Sequence, residues 1–220
     1  MRRSMLALAA LAGAAATTAA NATVYFTFDD PSTAKELTYT AGNAGGDGSL
    51  TYSGATPVDL VVDATEDGFG TVTYAATLTM NLTVGAAGIG GAPLLGSFTF
   101  SLAGNDILVG TVNAGGGSMS GFGGVGGLWF TDALTSGAFT WEAFGDLSTQ
   151  IGGGVLASTF NASFAMSNIT PFFGGVNADG YFNSFTANVA FVGDAIWAVP
   201  SPGSAALFGL AGLVVARRRR

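Results

Sequence analysis

Between Thr71 and Val84, hydrophobic and polar positions alternate along the chain. Val72, Tyr74, Ala76, Leu78, Met80, Leu82 and Val84 fall on one side. Thr71, Thr73, Ala75, Thr77, Thr79, Asn81 and Thr83 fall on the other. A helix would scatter this pattern around its circumference, whereas a strand sends successive side chains to opposite faces. The same period recurs elsewhere. Val24, Phe26 and Phe28 alternate with Thr23, Tyr25 and Thr27, and Phe98, Phe100 and Leu102 with Ser97, Thr99 and Ser101. Leu156, Phe160, Phe164 and Met166 share a side, as do Tyr181, Phe185, Val189 and Phe191. Strands that are apolar on one face predict antiparallel sheets with one side on a core and the other in water. Glycine-rich stretches separate them at 42–48, 85–91, 115–127, 152–154 and 174–175. Turns there need the positive φ that glycine reaches without strain. The body, residues 23–194, is therefore expected to be all-β, an antiparallel β-sandwich or a jelly roll. It has no clear amphipathic helix and no fixed-period repeat, which leaves a β-solenoid as the second architecture.

The two ends break this pattern. Arg2 and Arg3 precede an apolar run from Met5 to Ala16, followed by Ala20-Asn21-Ala22. A positive start, a short apolar stretch and a small-x-small site are the parts of a secretory signal. Residues 1–22 are thus expected to be a signal helix, with Ala20 and Ala22 marking the cut. The Arg2-Arg3 pair also fits the twin-Arg route, but the minimal n-region favours the general one.

At the other end, residues 195–204 read as a Pro/Gly linker leading into Val199-Pro200-Ser201-Pro202. Each proline fixes its own φ and restrains the residue before it. An apolar segment, 205–216, follows, and Arg217, Arg218, Arg219 and Arg220 come after it. Twelve residues of helix reach only about 18 Å, against a hydrocarbon core of about 30 Å. Snorkelling of Arg217 makes a thin span feasible, with the arginines on the cytoplasmic side as a stop. Residues 199–220 resemble the PEP-CTERM sorting signal, with its Val-Pro-Glu-Pro-like box, short hydrophobic helix and arginine cluster. The resemblance implies an exosortase, a membrane-embedded transpeptidase-like enzyme, as processing partner. It would cut near Pro200-Ser201-Pro202 and release the body to the cell surface or extracellular matrix. Ser201 stands where that family usually carries Glu. A retained single-pass anchor is the alternative, and the LPxTG box of sortase tails is missing.

Composition sharpens the picture. The 220 residues include no His and no Cys, which removes Ser-His-Asp and Cys-His catalysis, thiolate or imidazole metal sites, and disulfides. Six of the seven basic residues lie in the two ends, so the body holds one Lys against fourteen acids, a net charge of −13. A surface of that sign repels phosphate backbones and excludes nucleic acid as a partner.

Candidate chemistry in the body is sparse. Asp63, Thr65 and Asp67, followed by Gly68, resemble the opening of a calcium loop. The twelfth position is Tyr74, not Glu, and a solvated acidic turn explains the segment equally. Asn43, Asp47 and Asn177-Ala178-Asp179-Gly180 read as Asx-Gly turns. Sugar cleavage would need two facing carboxylates, drawn from Glu36, Glu66, Glu142, Asp29, Asp30 or Asp132. Glu142, beside Trp141 and near Trp129, is the candidate nearest an aromatic platform; core positions for both tryptophans are the alternative. The threonines on one side of 71–83 invite an ice-binding reading, though Thr is simply a good former of solvated strands. Asn81, Asn161 and Asn168 open sequons that read as ordinary strand residues.

The sequence thus predicts an exported, non-enzymatic surface or matrix protein without a cofactor. It would be membrane-engaged transiently through both ends, anchored first in the inner membrane and then released. Extracellular polysaccharide is a candidate partner. A carbohydrate-binding or carbohydrate-cleaving domain, and a calcium-stabilised adhesion module, are the alternatives.

Overall fold

Twelve strands are traced in the computed structural model, which describes residues 20–29, 34–54, 56–65, 68–131, 137–151 and 157–199. They are β1 (Ala20–Asp29), β2 (Leu37–Thr40), β3 (Gly48–Ser53), β4 (Val58–Ala64), β5 (Gly70–Val84) and β6 (Ala92–Leu102). After these come β7 (Asn105–Val112), β8 (Gly117–Phe122), β9 (Val125–Thr131), β10 (Phe139–Ala143), β11 (Ala157–Thr170) and β12 (Phe185–Val199). One short helix, α1 (Gly145–Gln150), sits between β10 and β11. The alternating stretch becomes β5, and from Tyr74 onward its even positions are buried and its odd positions exposed.

All the described strands belong to one hydrogen-bonded sheet. From β5 the antiparallel pairings run to β3, β2, β12, β11, β9, β8 and β6, and β6 returns to β5. Eight strands thus close a circuit, which removes the free edges that an open sheet exposes. β3 and β4 lie end to end along one edge of β5, with Ser53 opposite Thr79 and Val58 opposite Ala76. β1 pairs with both β4 and β12, while β7 pairs with β6 and carries β10. The antiparallel all-β expectation holds. The two separate sheets of a sandwich give way to a single sheet that curves back on itself.

Rings from opposite parts of the circuit meet inside it. Phe98 on β6 lies 5.1 Å from Phe164 on β11 and 5.2 Å from Trp141 on β10, both edge-on. Phe191 on β12 lies 4.7 Å from Phe164 and 5.7 Å from Phe28 on β1. Offset and edge-to-face pairs of this kind add to the area that aromatic side chains bury. Gly110 makes room for the cluster, since a Cβ there would stand 2.4 Å from Phe98 Cζ.

Strands run into two of the expected boundary segments. Ala195–Val199, predicted to open a linker, completes β12, because Ala195 continues the inward positions and pairs with Phe160. β1 begins at Ala20, so the backbone of the predicted cleavage site, Ala20 to Ala22, belongs to that strand. A compact unit spans Ala22–Trp197. Residues 1–19, Pro200, Ser201, Pro202, the segment 205–216, Arg217 to Arg220 and Asp67 lie outside the described residues. Among the described residues no helix is long and apolar enough to cross a membrane.

Candidate functional site

The outer face of β9, β11 and β12 carries a shallow trough built from three cross-strand rows. Thr131, Asn161 and Asp194 form the first row, Trp129, Ser163 and Val192 the second, and Gly127, Ala165 and Ala190 the third. Small side chains at Ser163, Ala165 and Ala190 make a low floor. Trp129 and Val192 rise from it, 46% and 52% exposed. A Cβ on Gly127 would stand 2.8 Å from Trp129 Cζ2, so the indole lies along the sheet over that glycine. Thr131 Oγ1 donates to Asn161 Oδ1 at 2.9 Å, which fixes the amide with its Nδ2 as the remaining donor.

This part of the trough encloses about 340 Å³. Past Val192 it meets a second groove of about 610 Å³, lined by Thr27 and Asp29 of β1, Asp59 and Val61 of β4, and Ala165 and Ala190. The β1–β4 register pairs Thr27 with Val61, and beyond that pair Asp29 and Asp59 both line this groove. Lys35, the only basic side chain among the described residues, is bonded elsewhere, to Thr170 Oγ1.

The candidate acid–tryptophan pair at 141–142 is not formed, and Trp141 takes the alternative core position. Trp141 and Glu142 are neighbours in β10 and so point to opposite faces, Trp141 into the aromatic core and Glu142 to solvent. Trp129 faces outward, and the acid nearest it in the cross-strand rows is Asp194. Asp30, Asp132 and Glu66 lie outside the described residues.

Asp63 and Thr65 do meet, as parts of a turn. Asp63 Oδ1 accepts from the Thr65 amide at 3.0 Å, the Thr65 hydroxyl at 2.7 Å and the Thr71 hydroxyl at 3.2 Å. These bonds favour the ionised form, the Thr65 hydroxyl most, and hold the carboxyl below its ordinary value. Among the described residues no group of three or more acids is arranged to hold a metal. The weaker candidates are turn builders. Asn43 Oδ1 accepts from the Gly45 amide, and Asn177 Oδ1 from the Asp179 and Tyr181 amides. Asp47 accepts from the Tyr181 hydroxyl at 3.2 Å.

The β5 threonines are exposed and continue a wider field of hydroxyls. Thr79 pairs with Thr99, Thr77 with Ser101, and Thr83 with Ser49. No family model matches the chain, and neither a curated protein nor a solved structure matches it.

Proposed function

We propose that the chain is an exported, non-enzymatic bacterial surface or extracellular-matrix protein whose body is delivered by a PEP-CTERM-like tail. The observation that carries this reading is the order Val199-Pro200-Ser201-Pro202, apolar 205–216, Arg217 to Arg220. The apolar run is too short to rest comfortably across a bilayer, yet it is capped by a stop of four positive charges. That combination suits a segment held in the membrane until an exosortase-type enzyme cuts beside it. The Arg2-Arg3, Met5–Ala16 and Ala20-Asn21-Ala22 series supplies the matching entry signal. The body supports the reading by its chemistry. It lacks His and Cys, packs its interior with aromatic rings, and exposes the threonines of β5 on its outer face.

The test replaces Arg217 to Arg220 with Ser in the native host. The substituted chain is expected to lose both trimming and surface display. A chain that is still trimmed and displayed would remove the sorting signal from the account. The carbohydrate-binding alternative keeps one observation in its favour, the exposed indole beside a polar row.

A further inference from the structure

We propose that the outer-face trough binds a linear polysaccharide bearing free amino groups. This names the partner class of the exported-surface reading, and rests on that reading only for access to such a polymer.

The first argument is shape. The trough runs across the strands from Trp129 on β9, over β11, β12 and β1, to Asp59 on β4. Four inter-strand steps measure about 19 Å along the sheet. A chain of several sugar rings fits that length, whereas a single small molecule would leave most of it empty. The floor is low because Ser163, Ala165 and Ala190 are small.

The second argument is the indole. Trp129 is nearly half exposed, although folding could have buried it as it buried Trp141. It lies along the sheet over Gly127, and so offers a broad apolar plate to the C–H face of a pyranose ring. Asn161, oriented by Thr131, and Asp194 stand in the adjacent row to meet ring hydroxyls.

The third argument is charge. The trough carries Asp194 near the indole and Asp29 and Asp59 at its far end, with no basic side chain among its lining residues. A polyanion would be repelled. An ammonium group would be attracted to the carboxylates of Asp29 and Asp59, and another could sit against the indole or Asp194.

The experiment uses the purified full-length chain in mild detergent, which makes binding independent of export and trimming. Retention is measured on chitosan, chitin, cellulose and alginate at moderate salt. The expected order is strong retention on chitosan, weaker on chitin and cellulose, and none on alginate. Trp129→Ala should lower chitosan binding at least tenfold while leaving the melting midpoint unchanged. Gly127→Val, which drives a side chain under the indole, should do the same with Trp129 still present. Replacing Asp29, Asp59 and Asp194 with Asn should reduce chitosan retention to the chitin level. Replacing Asp106 and Glu142, acids outside the trough, should change nothing. Full chitosan binding by Trp129→Ala would mean simple ion exchange and overturn the site. Equal retention of the unsubstituted chain on chitin and chitosan would overturn the amino-sugar assignment.

Discussion

Phe98 shows how much a single residue carries. Its ring meets Phe100, Phe130, Phe139, Trp141, Phe164 and Phe191. Removing it opens a cavity that rigid strands cannot close. Phe98→Ala is expected to cost about 3–5 kcal/mol in urea unfolding, and a loss under about 1 kcal/mol would contradict the packing. Trp141 differs, since its Nε1 is buried with no hydrogen-bond partner among the described residues. Trp141→Phe should therefore cost much less than Trp141→Ala. Asp63 acts through its charge. Its folded pKa lies below the ordinary 3.8, so its stabilisation is present above that value and fades as pH falls through the folded one. Asp63→Asn should lower the melting midpoint at neutral pH, and the gap to the unsubstituted chain should close in strong acid. A gap of constant size would assign the effect to shape instead of charge. At this scale the sequence was more legible than the paired reading of Trp141 and Glu142 allowed. Adjacent residues in a strand cannot share a face, and Phe139, Trp141 and Ala143 alternating with Thr140 and Glu142 already carry that information.

The strand is the unit at which sequence and structure agree best. β5 keeps its predicted inner and outer residues because a shift of one position would turn its whole apolar side to water. Thr79→Val on its outer face should change stability by less than about 0.5 kcal/mol, whereas Leu82→Asp should abolish the cooperative unfolding transition. Strand partners were not legible. The closure of β2 on β12 joins segments far apart in the chain that share only a common alternation. The tight turn at Ala103 and Gly104 also escaped notice. Both residues have positive φ there, as a two-residue hairpin requires, but alanine is an unusual occupant of the first position. The trough escaped for a related reason. Leu128, Trp129 and Phe130 are consecutive and apolar, so composition alone does not say that the middle one faces out. The β4–β5 turn gives its own prediction. Asp63 Oδ1 accepts hydrogen bonds from the Thr65 amide and hydroxyl and from the Thr71 hydroxyl, and these bonds are expected to hold its carboxylate without a bound ion. The melting midpoint should be the same in calcium and in chelator. A rise of several degrees with calcium would restore the adhesion-module alternative.

Across the whole molecule, charge is separated from the fold. Six basic residues stand in the two end segments, and the body between them keeps fourteen acids and one Lys. The most direct measurement is intact mass of the protein recovered from the cell surface, read together with its terminal peptides. The account predicts a chain that starts near Thr23 and stops close to Pro200, lacking Arg217 to Arg220. Surface protein that still carries both Met1 and Arg220 would contradict it.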